Sequence, residues 1–204
     1  MRLLKLLIAS HNPGKIYEFH KLFEGYPLEI MSLLDFPEIE EVEETGTTFE
    51  ENARLKAETI AQELQCIAIA DDSGLVVPAL NDAPGVYSAR YSGEPKDDQR
   101  NNTKLLAELL NVPDSDRHAK FVSCIVAAYP QSESLVVTGH VDGQILREAR
   151  GEDGFGYDPL FYYPPAQATF AQMSLTQKNA ISHRGQAVKK LMEQFEAWMG
   201  GLPK

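Results

Sequence analysis

A chain of 204 residues with 43% hydrophobic residues suits one sizeable domain, or two small lobes, around an ordinary core. Its formal net charge of -11 argues against non-specific binding to a nucleic-acid backbone, but allows a small phosphorylated ligand held by a local cluster of cations. No stretch approaches the ~18 consecutive apolar residues of a membrane span, and the apolar start Met1–Ala9 is short and broken by Lys5, so the expectation is a cytoplasmic protein without a signal peptide.

Met1–Ala9 reads as a first strand. Ser10-His11-Asn12-Pro13-Gly14-Lys15 follows, then a helix carrying Ile16, Phe19 and Phe23 on one face. Asn12 is the expected N-cap, Pro13 the first helical residue and Gly25 the stop. A helix N-terminus favours an anion, and Lys15 lies in its first turn, where the dipole disfavours a cation. A bound anion would remove that conflict. The alternative is a solvated surface lysine.

Leu28–Leu34 reads as a second strand. The acidic stretch from Pro37 to Asn52 is interrupted by Thr45-Gly46-Thr47-Thr48, where Thr47 and Glu50 fit a capping box. The helix that follows has Phe49, Ala53, Ala57, Ile60 and Leu64 on its apolar face, and Lys56 inside it points either to solvent or to a site. Glu43 and Glu44 fall in the loop before it.

The apolar run Cys66–Ala70 reads as a buried strand that ends at Asp71-Asp72-Ser73-Gly74. Two adjacent carboxylates repel, and a divalent metal would offset that cost. Asp-Asp-Ser-Gly is also ordinary turn chemistry. Asp72 is the expected ligand, with Glu43 or Glu44 within reach, and Asp71 either binds the same ion or supports the site. Val76 and Val77 resume a strand, Asn81–Gly85 form a turn, and a helix is expected from about Asp97 to Leu110.

Phe121–Tyr129, Leu135–His140 and Val141–Leu146 read as successive strands, the last two antiparallel. Gly151–Pro159 is a glycine-rich loop whose Phe155 or Tyr157 could stack on a base. After Leu160–Tyr163, a strand, the chain reaches Lys178 and then Ser182-His183-Arg184, where Ser182 is the expected N-cap of a long amphipathic helix on Val188, Leu191, Met192, Phe195 and Trp198 or Met199. His183 and Arg184 are again cations at a helix start, and two such conflicts point to a bound polyanion. Cys66 and Cys124 both read as buried free thiols. Neither has a flanking base, so direct attack by water is the simpler chemistry. The mixture of strands and helices is that of an α/β chain.

Ser10–Lys15, Glu43-Glu44-Thr45-Gly46, Phe49–Ala53, Ala70–Leu75, Ala83–Tyr91, Gly154–Pro159 and Ser182-His183-Arg184 occur in order along nearly the whole chain. Together they resemble the inosine/xanthosine triphosphate pyrophosphatase family. That resemblance implies a single domain over residues 1–204: an elongated mixed sheet with flanking helices, in two lobes around a nucleotide cleft, usually a homodimer. It implies Mg²⁺-dependent hydrolysis of ITP, dITP or XTP to the monophosphate and pyrophosphate, a house-cleaning activity. It implies Asp72 as metal ligand and general base and Glu43 as a further ligand. Ser10, His11, Asn12, Pro13, Gly14 and Lys15 would hold the triphosphate, with Lys56 reaching it and Ser73 contacting the nucleotide. Phe155, Gly156, Tyr157, Asp158, Lys178, His183 and Arg184 would surround base and sugar. The first motif departs from the family's frequent Thr-Gly-Asn, since His11 adds bulk where glycine is usual. Rival readings are a pyrophosphatase of modified pyrimidine nucleotides and a nucleotide-binding sensor without turnover.

Overall fold

The computed structural model describes residues 4–203, so Met1–Leu3 of the expected first strand lie outside the described residues. In chain order the regular elements are β1 (Leu4–Ile8), α1 (Pro13–Leu22), β2 (Leu28–Ser32), α2 (Phe49–Leu64), β3 (Ile67–Val76), α3 (Asp98–Glu108), β4 (His118–Ala128), β5 (Leu135–Ile145), β6 (Phe161–Tyr163), β7 (Ala168–Thr169), α4 (Leu175–Ile181) and α5 (His183–Gly200). The strands form a seven-stranded mixed sheet in the order β2-β1-β3-β4-β5-β6-β7. β1 runs parallel to β2 and β3, and β6 runs antiparallel to β5 and β7. Among the described residues no helix is long and apolar enough to cross a membrane.

The chain divides into two compact units. The first comprises the residues up to Asp72, Ser123–Gly139 and those from Arg184 on. Its strands alternate strictly, as the period of two requires. Leu6, Ile8, Ile67, Ile69 and Ile125 pack with Ile16 and Phe19 of α1 and with Val188, Leu191 and Phe195 of α5. Leu7, Ala68, Ala70, Cys124 and Val126 pack on the other face with Ala53, Ala57 and Ile60 of α2. Thus α1 and α5 cover one face and α2 covers the other.

The second unit comprises Ser73–Val122 and His140–His183. Leu75, Leu105, Leu109, Phe121, Val141, Tyr157, Phe161 and Phe170 are among its core residues. The buried Arg117 guanidinium donates to the carbonyls of Leu109, Ile145 and Leu146, satisfying the last turn of α3 with a side chain.

Several expectations need correction. β3 does not stop at Ala70 but runs through Asp71, Asp72, Ser73 and Gly74 to Val76. Turn chemistry is overridden at the Asp pair, whose side chains find partners on α1, α2 and α5. Leu135–Ile145 is one strand, with buried and exposed residues alternating through its middle despite Gly139 and Asp142-Gly143. β2 ends at Ser32, and Leu33–Asp35 form a 3₁₀ turn. The capping box of α2 is one residue later than expected: Thr48 Oγ1 accepts from the Glu51 amide, and Glu51 accepts from the amides of Thr47 and Thr48. Leu175–Ile181 is a separate short helix capped by Ser174, which periodicity could not show in so few residues. Both cysteines are free thiols, Cys124 buried and Cys66 only half-buried.

Candidate functional site

The two adjacent aspartates lie in the middle of β3, and the strand period divides them. Asp71 has the parity of Ile69 and faces α1 and α5, whereas Asp72 has the parity of Ala70 and faces α2. Their partners follow from this. The Oδ2 of Asp71 accepts from Arg184 Nη2 at 2.9 Å and Nε at 3.2 Å, and lies 3.2 Å from Lys15 Nζ. Its Oδ1 accepts from Ser123 Oγ at 2.9 Å. Arg184 also pairs with Glu18, one turn along α1 from Lys15. Burial pushes the Asp71 carboxyl up, but Arg184, Lys15 and Lys56 more than reverse it and hold the group far below the usual carboxylate range. Asp71 is therefore a buried counter-ion on the face opposite Asp72.

Asp72 meets two residues of α2 spaced one turn apart, so that both lie on one helix face. Its Oδ2 accepts from Asn52 Nδ2 at 3.1 Å, and its Oδ1 lies 3.6 Å from Lys56 Nζ. Burial raises the Asp72 carboxyl above its ordinary value, against the pull of Lys56 and Lys15. Lys56 Nζ also donates to Glu44 Oε1 at 2.8 Å and to the Asp71 carbonyl at 2.9 Å. Asn52 Oδ1 accepts from the Gly46 amide at 2.7 Å, which ties the Glu43–Gly46 loop to α2. A Cβ at Gly46 would lie 2.7 Å from that same oxygen, so the tie requires glycine. The loop thereby brings Glu44 to Lys56, while Glu43 stays exposed. Among the described residues no three His, Cys, Asp or Glu side chains converge as a ready-made metal site.

At the first motif, Asn12 caps α1 as expected, its Oδ1 accepting from the amides of Gly14 and Lys15. Pro13 has no N–H, so the cap already engages the amides that would face an anion there. Ser10 Oγ accepts from the Asn12 amide, and the half-buried His11 has its Nδ1 buried without a hydrogen bond. Lys15 Nζ reaches the Asp71 carbonyl at 3.4 Å, so Lys15 and Lys56 converge on one oxygen from two helices. Burial pushes the Lys15 ammonium below its ordinary range; Lys56 and Arg184 add to this, and Asp71 opposes it. The conflict with the helix dipole at Lys15 and Arg184 is thus met by protein carboxylates, chiefly Asp71. It does not by itself require a ligand.

In the second unit, Lys178 and Asp158 form a buried pair at 2.7 Å. The Lys178 ammonium also lies 4.9 Å over the ring centre of Phe155, which is half-exposed. Tyr157 is in the core, its hydroxyl donating to the Ser88 carbonyl at 2.8 Å, which leaves Phe155 as the aromatic able to stack on a flat ligand. Gly156 is fastened to α3 from both sides: its carbonyl accepts from Asn102 Nδ2 at 2.9 Å and its amide donates to Asp98 at 2.7 Å. His183 is buried with its ring stacked 4.8 Å from that of Phe121. Ser73 is half-buried in β3. Gly154 has φ +80°, and a methyl there would run into the Asp158 carboxylate, which Lys178 and the Phe155 amide hold in place. Gly154→Ala is expected to cost about 1–3 kcal/mol, read as a drop in Tm of roughly 2–12 °C.

Sequence reasoning missed Asn52, Glu18 and Ser123. Asn52 had a signal, since it precedes Lys56 by one helical turn. Glu18 had one too, as an acid beside Phe19 on the buried face of α1. Ser123 on β4 had none, because its partner is remote in sequence.

The Ham1 family model matches residues 6–194. A dITP/XTP pyrophosphatase of Bacillus cereus is 52% identical over 97% of this chain and 97% of its own length. One from Listeria innocua is 51% identical over 92% of each. Among solved structures, the Ham1 protein of Staphylococcus aureus superposes with a TM-score of 0.84 at 47% identity, covering 95% of this chain and 98% of its own. A HAM1 protein from Coxiella burnetii gives a TM-score of 0.86 at 41% identity over 95% and 99%. The expected mixed sheet with flanking helices is the architecture found, and this chain belongs to the Ham1 family.

Proposed function

We propose that this chain is a nucleoside-triphosphate pyrophosphatase that hydrolyses dITP, ITP and XTP to the monophosphate and pyrophosphate, keeping deaminated purines out of DNA and RNA. The names of its relatives support this reading. The observation that carries it is the convergence of Lys15 and Lys56 on one carbonyl beside Asp72. Two like charges brought together in a largely buried place suit a polyanion such as a triphosphate.

In this reading Lys15 and Lys56 bind phosphate oxygens, and Ser10, His11, Asn12, Pro13 and Gly14 line the same end. Asp72 takes the proton of the water that cleaves the bond between the α- and β-phosphates. Its raised affinity for protons suits a base. The donor set fits a hard divalent ion: Asp72 and Glu44 are oxygen ligands already gathered around one cation, the Lys56 ammonium. Mg²⁺ is our choice, and when bound it would neutralise charge on the phosphates. We assign the second carboxylate to Glu44, which Lys56 holds, rather than to the exposed Glu43. Ser73, Gly156 and His183 are assigned to the nucleotide from the same resemblance. Phe155 offers its face to the purine, with Lys178 and Asp158 beside it. Arg184, buried on Asp71 and Glu18, acts from behind the site by fixing Asp71 and not as a base contact. We further propose a cytoplasmic homodimer.

Assayed with Mg²⁺, the chain is expected to release pyrophosphate from dITP and XTP at least about 10²-fold faster, in kcat/KM, than from ATP or GTP. Release of orthophosphate alone would replace this reading with a general phosphatase.

A further inference from the structure

Lys56 has a position that phosphate binding alone does not explain. Its side chain is 11% exposed, and its ammonium is held by Glu44 Oε1 at 2.8 Å and the Asp71 carbonyl at 2.9 Å, with Asp72 Oδ1 at 3.6 Å. An ammonium has three donors, and here they face three oxygens. Two of these belong to the carboxylates that the proposed function assigns to the metal. The helix fixes this arrangement. Asn52 and Lys56 are one turn apart on α2, and Asn52 holds both Asp72 and the loop carrying Glu44.

Resting on the metal reading of Asp72 and Glu44, we infer that Lys56 is a stand-in cation, which occupies the metal's oxygens until a nucleotide arrives and so makes metal binding depend on substrate. A divalent ion coordinated at about 2 Å by these carboxylates would lie against the ammonium, and like charges at that range repel strongly. The ion therefore enters only if Lys56 leaves. The triphosphate provides the place to go, because Lys56 and Lys15 already point at the same carbonyl. It also supplies oxygen ligands that the protein lacks, since among the described residues no third acidic or histidine ligand joins the two carboxylates. One side chain thus moves from the carboxylates to the phosphates as the metal takes its place. Free ion is refused, and the ion arrives with the substrate.

The test is Mn²⁺ binding, followed by the paramagnetic resonance signal of the free ion, on folded protein of matched thermal stability. Without nucleotide, Lys56→Met and Lys56→Gln should bind Mn²⁺ at least about tenfold more tightly than the wild type. Lys56→Gln can keep a hydrogen bond to the Asp71 carbonyl, so it guards against a packing defect in the first variant. Lys56→Arg, which keeps the charge, should bind as weakly as the wild type. With the α,β-methylene analogue of dITP, the wild type should gain at least about tenfold in affinity. Equal affinity of all four proteins without nucleotide would overturn the stand-in role. Asp72→Asn separates this from failure of the metal reading. If it leaves Mn²⁺ binding in the presence of the analogue unchanged, the ion is bound elsewhere and both readings fall.

Discussion

Asp72→Asn is expected to lower pyrophosphate release from dITP by about 10³-fold or more while leaving the fold intact. The amide cannot take the proton from water and is a poor ligand for a divalent ion. The loss of rate follows from the Asp72 contacts. In the wild type Oδ2 accepts from Asn52 and Oδ1 faces Lys56. An asparagine must turn its NH₂ toward one of these two donors, so no orientation reproduces the carboxylate. The effect on stability is separate from the effect on rate. The folded-state affinity of Asp72 for protons is raised, so its contribution is most favourable below the unfolded pKa and is lost as pH rises through the folded value. At neutral pH the ionised group burdens the fold, and the neutral amide removes that burden. Lys56 keeps Glu44 as a partner. The donor left facing a donor offsets this gain, so the variant should melt near the wild-type temperature, and chemical denaturation at pH 7.5 measures this directly. Activity within tenfold of the wild type would refute the role assigned to Asp72.

That residue also shows how far the sequence could be read. The run Cys66–Ala70 announced a buried strand, and the Asp pair after it announced chemistry. The period of two applied to the same residues would have sent the aspartates to opposite faces. Reading the strand as ending at Ala70 hid this, because four consecutive turn-forming residues outweigh strand propensity when no partner is known. The partners Arg184 and Ser123 are remote in the chain, and only the sheet and α5 bring them in. Helix starts were more legible than helix ends: Asn12 caps α1 as expected and the box on α2 moved from Thr47 to Thr48, whereas α1 ends at Leu22 with Phe23 as its C-cap and not at Gly25. The cations at helix starts were legible as anomalies but not in their cause. A helix dipole can be offset by a buried carboxylate from another strand, and Asp71 does this for Lys15 and Arg184 together. In the glycine-rich loop, local sequence marked Phe155 and Tyr157 equally. Burial distinguishes them, because the Tyr157 hydroxyl reaches Ser88 across the second unit's core.

Arg184→Met should be the most destabilising single change at this network, costing about 3–5 kcal/mol at pH 7.5. The arginine side chain is 1% exposed, and its guanidinium answers both Asp71 and Glu18, with Phe19 against its face at 5.8 Å. Methionine fills much of the volume but removes the guanidinium that the two buried carboxylates share. For a chain of this size the loss should lower Tm by roughly 6–20 °C. The pH dependence carries the diagnosis. In the wild type Asp71 is held below its unfolded pKa, so its stabilisation is present above about pH 4 and is lost only as pH falls toward the folded value. Without the guanidinium, burial is opposed less strongly, by Lys15 and Lys56, and the carboxyl moves upward. The variant then regains stability as the pH is lowered and the buried acids take up protons. The gap between wild type and variant, measured by urea unfolding, should narrow steadily from pH 8 to pH 5. A gap that is constant across this range would mean that packing on Phe19, rather than the charge, is what Arg184 contributes. Adding Glu18→Gln to Arg184→Met should recover part of the loss at pH 7.5, because it removes one of the two buried carboxylates that lose the guanidinium without disturbing Asp71 or the face of β3 that carries Asp72.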